Sequence, residues 1–408
     1  MNAIQRPEKP SHVPADRVVD FDIYAPPDVG GDIYDSWRVL QKPGVPEVVW
    51  TSYNEGHWIP TRSAVILEVM KDFERFSNSN VIIPKSHGSD YKVIPGSFDP
   101  PQHQPYRKSL NNVLSLQTIR SVEDKIRALA SKLIEGLMPN GACSFTTEYA
   151  DILPITMFFT LMDLPVADIP MTKYWANQMF RPDGSISFVD ALAKIMAYLD
   201  PFVKDRTGKE GTDMLSRLVN TKIDGKSLSQ SEALQLATQA MIAGLDTVVS
   251  FLGFVFWHLA NDPGLRHELA ANPQLISKAV DEFLRRFPIV TIGREVRVDT
   301  EFHGVQLKTG DMMAIPTLLA ATDEQFNENP TKFDIHRPRR NILSFGNGHH
   351  HCPGRYLARA EITISIEEWI KRIPDFSVAP NAKVVCTAGV VTTVNDLRLV
   401  WPASPPKR

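Results

Sequence analysis

The chain has 408 residues, 43 % hydrophobic and 22 % charged, with 44 basic and 47 acidic side chains and a formal net charge of −3. That length buries a large core, and the balance of charge argues against a nucleic-acid binder, which carries a basic excess. Three scattered cysteines, Cys143, Cys352 and Cys386, make no disulfide framework and point to a reducing compartment.

The first thirty residues are proline-dotted and charged and lack the apolar stretch of a secretory signal, so a cytoplasmic chain is expected. Residues 1–45 are expected to form an extension packed on a body spanning residues 46–408. VVWTSYNEGHWIPTR, from Val48 to Arg62, reads as a hairpin, with Asn54-Glu55-Gly56 as turn chemistry between strand-like flanks. From about Leu114 to Phe287 apolar residues recur at helical spacing. The longest helix is marked at both ends. Ser229-Gln230-Ser231-Glu232 is a capping box, and Asn261-Asp262-Pro263 supplies the stop. About thirty residues at roughly 1.5 Å each give a rod of about 45 Å.

Part of that helix, Ala240 to Ala260, is long enough to span a bilayer and carries only Asp246 as a charge. It has no flanking basic cluster or aromatic belt, so a helix buried on all sides is expected, with no membrane partner. After Arg286 the chain alternates and turns at Gly304 and Thr309-Gly310, reading as short strands. A loop-rich stretch from Phe326 to Asn341 follows, then a glycine- and histidine-rich loop entering a helix at Pro353. The tail from Ala382 to Trp401 reads as a last strand pair. The expected fold is mainly α with a small β region, one body around a long central helix.

The densest chemistry is FGNGHHHCPGRYLARAE, from Phe345 to Glu361. Three histidines before a cysteine suggest zinc, but adjacent side chains diverge, whereas zinc ligands usually stand two to four residues apart. A cysteine at a helix start could be a nucleophile, or an inert residue in a glycine loop. A haem iron ligand is the remaining reading. It needs a tight loop, glycines that let the backbone approach the porphyrin, and a helix N-terminus aimed at sulfur. Gly346, Gly348, Gly354 and Cys352 supply those parts, with Phe345 to cover the sulfur.

Phe345-Gly346-x-Gly348-x-His350-x-Cys352-x-Gly354 resembles the haem-binding signature of the cytochromes P450, the haem-thiolate monooxygenases. Two further motifs of that family stand in order. Glu282-x-x-Arg285, with Arg337 downstream, matches its structural triad. Ala243-Gly244-Leu245-Asp246-Thr247 matches its oxygen-activation motif. AGLDTVV, EFLRRF, EFHGVQLKTGD, EWIKRIPDFSVAP and YKVIPGSFDPPQ are similar to the bacterial camphor hydroxylase group.

The resemblance implies a single-domain cytochrome P450 fold binding haem b, with Cys352 as iron ligand. It implies that His103, Arg107, Arg294 and His350 meet the haem propionates, and that Gly244, Phe345 and Gly354 lie against the cofactor. Asp246 and Thr247 are the expected proton-handling pair: Thr247 can bond back to the Ala243 carbonyl and open the helix, and Gly244 leaves room for dioxygen. Tyr91 is implied to bind a substrate ketone, in a pocket with Ile82, Val93, Gln239, Ile242, Ala243, Ile289, Val290, Val390 and Val391. Several positions depart from the camphor hydroxylase. Val93 stands for phenylalanine, Gly96 for threonine, Gln239 for leucine, and Asn177 for an acid that helps tether the relay aspartate, while Lys173 and Arg181 remain.

The implied activity is hydroxylation of an unactivated C–H of a small apolar terpenoid or norisoprenoid ketone. It uses O2 and electrons from NADH through a [2Fe-2S] ferredoxin and its reductase, by a monomer. Lys108, Arg355 and Arg359 would lie near the face where an acidic ferredoxin docks. The alternatives are a peroxide-driven peroxygenase and a non-catalytic haem-binding sensor.

Overall fold

The two textures of the sequence separate in space. The computed structural model describes residues 6–30, 32–88, 93–181 and 183–402. Five of the short strands form the largest sheet, in the order Val48–Thr51, His57–Pro60, Met312–Pro316, Thr291–Val296, Phe76–Ser77. Val48–Thr51 and His57–Pro60 form the expected antiparallel hairpin, and Gly56 takes the positive φ of 79° that closes its turn. The segment ahead of the hairpin lies on this sheet: Val18 bridges to Trp50, and Phe21 and Ile23 are buried.

The rest is mainly helical. Gln230–Gly244 packs on the helices Phe188–Arg206 and Met214–Val219, and Arg355–Arg372 packs on Glu123–Leu137. The capping box forms: the Ser229 hydroxyl accepts from the Glu232 amide at 3.3 Å, and the Ser229 amide donates to the Glu232 carboxylate at 2.8 Å. The apolar run Gln230–Asn261 is 32 residues long, and 72 % of its most apolar window is buried inside the protein. It is the core helix that its missing membrane anchors imply.

Three sequence expectations need correction. The central rod is not continuous: Gln230–Gly244 ends, and Thr247–Asn261 begins after Leu245 and Asp246, where Asp246 leaves helical geometry at φ −139°. The helix after the cysteine starts at Arg355 rather than Pro353, which sits with Gly354 in the turn before it. The C-terminal tail makes three strands. Val385–Thr387 pairs with Thr393–Asn395, while Arg398–Val400 joins Ser377–Val378 and Ala142–Ser144 in a separate sheet.

Glu282, Arg285 and Arg337 meet. The Arg285 fork donates to both Glu282 oxygens at 2.8 and 2.9 Å, and both side chains are fully buried. Arg337 lies 3.5 Å and Arg340 3.3 Å from the same carboxylate. The excess positive charge is taken up by carbonyls: Arg285 donates to Pro330 and Lys332, and Arg337 to Glu328, Asn329 and Lys332. One helix residue thereby pins the irregular stretch leading to the cysteine loop. Removing a partner from a buried pair strands the other charge, at a cost of about 3–5 kcal/mol. Glu282→Gln is expected to lower the urea midpoint of the holoprotein by an amount that corresponds, through the slope of the transition, to a free-energy loss of that order. A midpoint equal to wild type would mean the pair is dispensable.

Candidate functional site

The cysteine loop is closed by its own backbone. The Cys352 amide donates to the Phe345 carbonyl at 2.9 Å and the Gly346 amide to the Leu343 carbonyl at 2.9 Å. Gly346 and Gly348 hold φ of 67° and 71°, a conformation in which a side chain is strained. At Gly348 a Cβ would also meet the Met70 carbonyl oxygen at 2.3 Å, so this glycine lets the loop seat on the end of the Ser63–Lys71 helix. Burial pushes the Cys352 thiol pKa up, while the Gly354 amide, the Arg107 and Arg355 guanidiniums and the Arg355 amide pull it down. Those groups all stabilise a thiolate. A Cβ at Gly354 would lie 3.8 Å from the sulfur, an ordinary contact. Phe345 stands part-exposed with the Arg359 guanidinium 5.7 Å over its ring.

The three histidines diverge, as adjacent residues must. His349 reaches the Lys71 carbonyl at 3.2 Å, His350 packs on His103 with ring centroids 4.2 Å apart, and His351 meets Phe345 edge-on. Among the described residues no three His, Cys, Asp or Glu side chains converge on a metal position, so the zinc reading has no geometry behind it.

Buried polar side chains around His350 lack hydrogen-bond partners among the described residues. Both nitrogens of His103 and Nε2 of His350 are buried without a hydrogen-bond partner among the described residues. Arg294 is buried, and its guanidinium donates to the carbonyl of its neighbour Gly293 at 2.8 Å. Burial first, then neighbouring cations, holds His103 down to about 4 and His350 to about 2; burial lowers Arg294 to about 10. Unsatisfied buried donors carry a real cost, and this cluster fits an anionic partner with several acceptor oxygens. The two carboxylates of haem b meet that description. Arg107 is committed differently from expectation: it donates to the His351 carbonyl and to Asn111 Oδ1 (3.0 Å), and so braces the loop.

The central helix supplies the opposite wall. Thr247 Oγ1 donates to the Ala243 carbonyl at 3.2 Å, the back-bond the sequence predicts. Asp246 is 2 % exposed and is paired by both nitrogens of the Arg181 fork, Nη1 at 2.9 Å, with Ser250 Oγ at 3.3 Å. Arg181 also donates to the Val391 carbonyl at 3.2 Å and to Asn177 Oδ1 at 3.4 Å. Lys173 pairs instead with Asp151, whose pKa burial raises. Ala243 is exposed although it lies mid-helix in the core, with Gln239, Gly244, Thr247 and Val248 part-exposed beside it. This stripe lines an internal pocket.

A Cβ at Gly244 would strike the Phe158 ring at 2.5 Å, so the glycine also admits a close packing of that ring on the helix. The sequence offers no local signal for Phe158. Tyr91 lies outside the described residues. Val290 and Val390 are part-exposed, joined through the Thr291 amide bonded to the Val390 carbonyl at 3.0 Å. Ile82, Val93, Ile242, Ile289 and Val391 are buried.

A thiolate loop with a cationic recess on one wall and an opened helix on the other defines a haem-thiolate protein. The cytochrome P450 family profile matches residues 155–385. Cytochrome P450(BM-1) of Priestia megaterium is 30 % identical over 72 % of this chain and 76 % of its own length. Cytochrome P450-terp of a Pseudomonas species is 28 % identical over 81 % of this chain and 84 % of its own. Two solved structures, those of CYP101J2 and CYP101C1, superpose with TM-scores of 0.91 and 0.90 at 44 % and 35 % identity, each covering 97 % of this chain and 100 % of the other. The chain belongs to the cytochrome P450 family, close to the camphor hydroxylase group, and binds haem b through a cysteine thiolate.

His103, Arg294 and His350 would hold the haem carboxylates and Cys352 its iron. A charge-assisted hydrogen bond is worth about 1.5–3 kcal/mol, so Arg294→Met should speed haem loss to a competing apoprotein roughly ten- to a hundredfold. Unchanged loss would remove Arg294 from the cradle.

Proposed function

We propose that the protein is a haem-thiolate monooxygenase that hydroxylates an unactivated C–H of a small apolar terpenoid or norisoprenoid ketone in the cytoplasm. The electrons come from NADH through a [2Fe-2S] ferredoxin and its reductase, to a monomer. Thiolate-ligated haem supplies oxygen binding and an electron push toward O–O cleavage. The chain's own residues do the rest. Thr247 holds a hydroxyl at the opened turn, and next to it stands Asp246, paired with Arg181. The largely apolar lining excludes bulk water and accepts a hydrocarbon skeleton.

The observation that carries this reading is the Thr247–Ala243 back-bond beside the paired Asp246. A peroxygenase receives its protons with peroxide and usually lacks that pair; a sensor needs neither. Lys108, Arg355 and Arg359 give an acidic ferredoxin a basic surface to meet.

Two measurements test the reading. Reduced wild type under carbon monoxide should give the strongly red-shifted Soret band of a thiolate ligand, and Cys352→His should lose it. With 18O2, NADH, ferredoxin and reductase, label should enter the hydroxylated product. Retention of the band in the variant, or turnover with peroxide but not with the NADH chain, would overturn the reading.

A further inference from the structure

Gln239 and Gly96 share one space. A Cβ at Gly96 would meet Gln239 Oε1 at 2.2 Å and Cδ at 3.1 Å. Gly96 has no positive φ, so its backbone would accept any residue, and the reason for glycine there is steric. The Gln239 amide end occupies the notch.

The rest of that side chain is unspent. Among the described residues the Gln239 amide makes no hydrogen bond, though it stands part-exposed on the pocket stripe. It sits one turn before Ala243 on the same helix face, and Thr247 bonds back to the Ala243 carbonyl across the break. With Oε1 against Gly96, the Nε2 donors are the end turned away from the notch. An amide that faces an apolar pocket without a partner costs free energy, which a ligand acceptor would recover. The notch removes the rotamer freedom that a free glutamine would lose on binding.

We infer that Gln239, held in the notch of Gly96, is a specificity-determining residue that donates a hydrogen bond to a carbonyl or ether oxygen of the substrate. The inference rests on the proposed terpenoid-type substrate and deepens it: the pocket selects oxygenated skeletons over bare hydrocarbons. Gly96→Ala is the discriminating variant, because it evicts the amide from its notch and leaves Gln239 chemically intact.

The test is the low-spin to high-spin Soret titration of the holoprotein with camphor and fenchone, each beside its parent hydrocarbon, bornane or fenchane. Gln239→Leu should cut the ketone-to-hydrocarbon affinity ratio by about two- to tenfold, the worth of one neutral hydrogen bond. Gly96→Ala should cut it similarly, and the double variant no further than either single one, since both changes remove the same contact. Equal shifts for ketones and hydrocarbons in both variants, or additive losses, would reduce Gln239 to packing and overturn the inference alone. No spin shift in wild type with any of the four compounds would overturn the substrate reading and the inference with it.

Discussion

A buried carboxylate within the long apolar run of the central helix must be paired, or its burial costs several kcal/mol. Asp246 is paired by the two-pronged Arg181 fork, and the rest of the site depends on that bond. Meeting Arg181 takes Asp246 out of helical geometry, and the break exposes the Ala243 carbonyl for Thr247 to bond. Arg181 in turn donates to the Val391 carbonyl, so the same side chain ties the helix break to the C-terminal wall of the pocket. A hydrocarbon at residue 246 would let the helix close into one rod and leave Arg181 stranded.

The opposite wall follows a complementary electrostatic logic. The Asp246 carboxyl is matched by an arginine of the protein; His103, His350 and Arg294 are buried polar groups with few partners within it. Their buried donors suit the carboxylates of a haem, while Arg107 and the Gly354 and Arg355 amides address the loop and its sulfur. One family of donors thus serves the rim of the cofactor and another its axial ligand. Glu282 keeps the two in register by pinning Arg285, Arg337 and Arg340 beneath the stretch that leads to Cys352.

Local signals were readable in the sequence wherever one short segment decides the structure. The capping box at Ser229, the Asn54–Gly56 hairpin and the Thr247 back-bond each depend on residues within four positions of one another. Cys352 was readable because a loop motif carries its own geometry. What escaped depends on distant side chains. The break at Asp246 pairs it with Arg181, sixty-five residues earlier; the ring that packs on Gly244 is Phe158, and the side chain that fills the space beside Gly96 is Gln239. Periodicity saw an apolar helix and extended it through the break, because hydropathy does not register which partner a buried charge will find. Arg340 was missed in a run of arginines for the same reason: only the fold says which of them reaches Glu282.

The account turns on the opened helix as the place where protons are handled, and the partition of electrons measures that directly. In the reconstituted NADH–ferredoxin system, Thr247→Ala should bind substrate as wild type does and consume NADH, yet release most of the reducing equivalents as hydrogen peroxide. Asp246→Asn should instead slow NADH consumption. Undiminished coupling of NADH to hydroxylated product in Thr247→Ala would contradict the role assigned to the break.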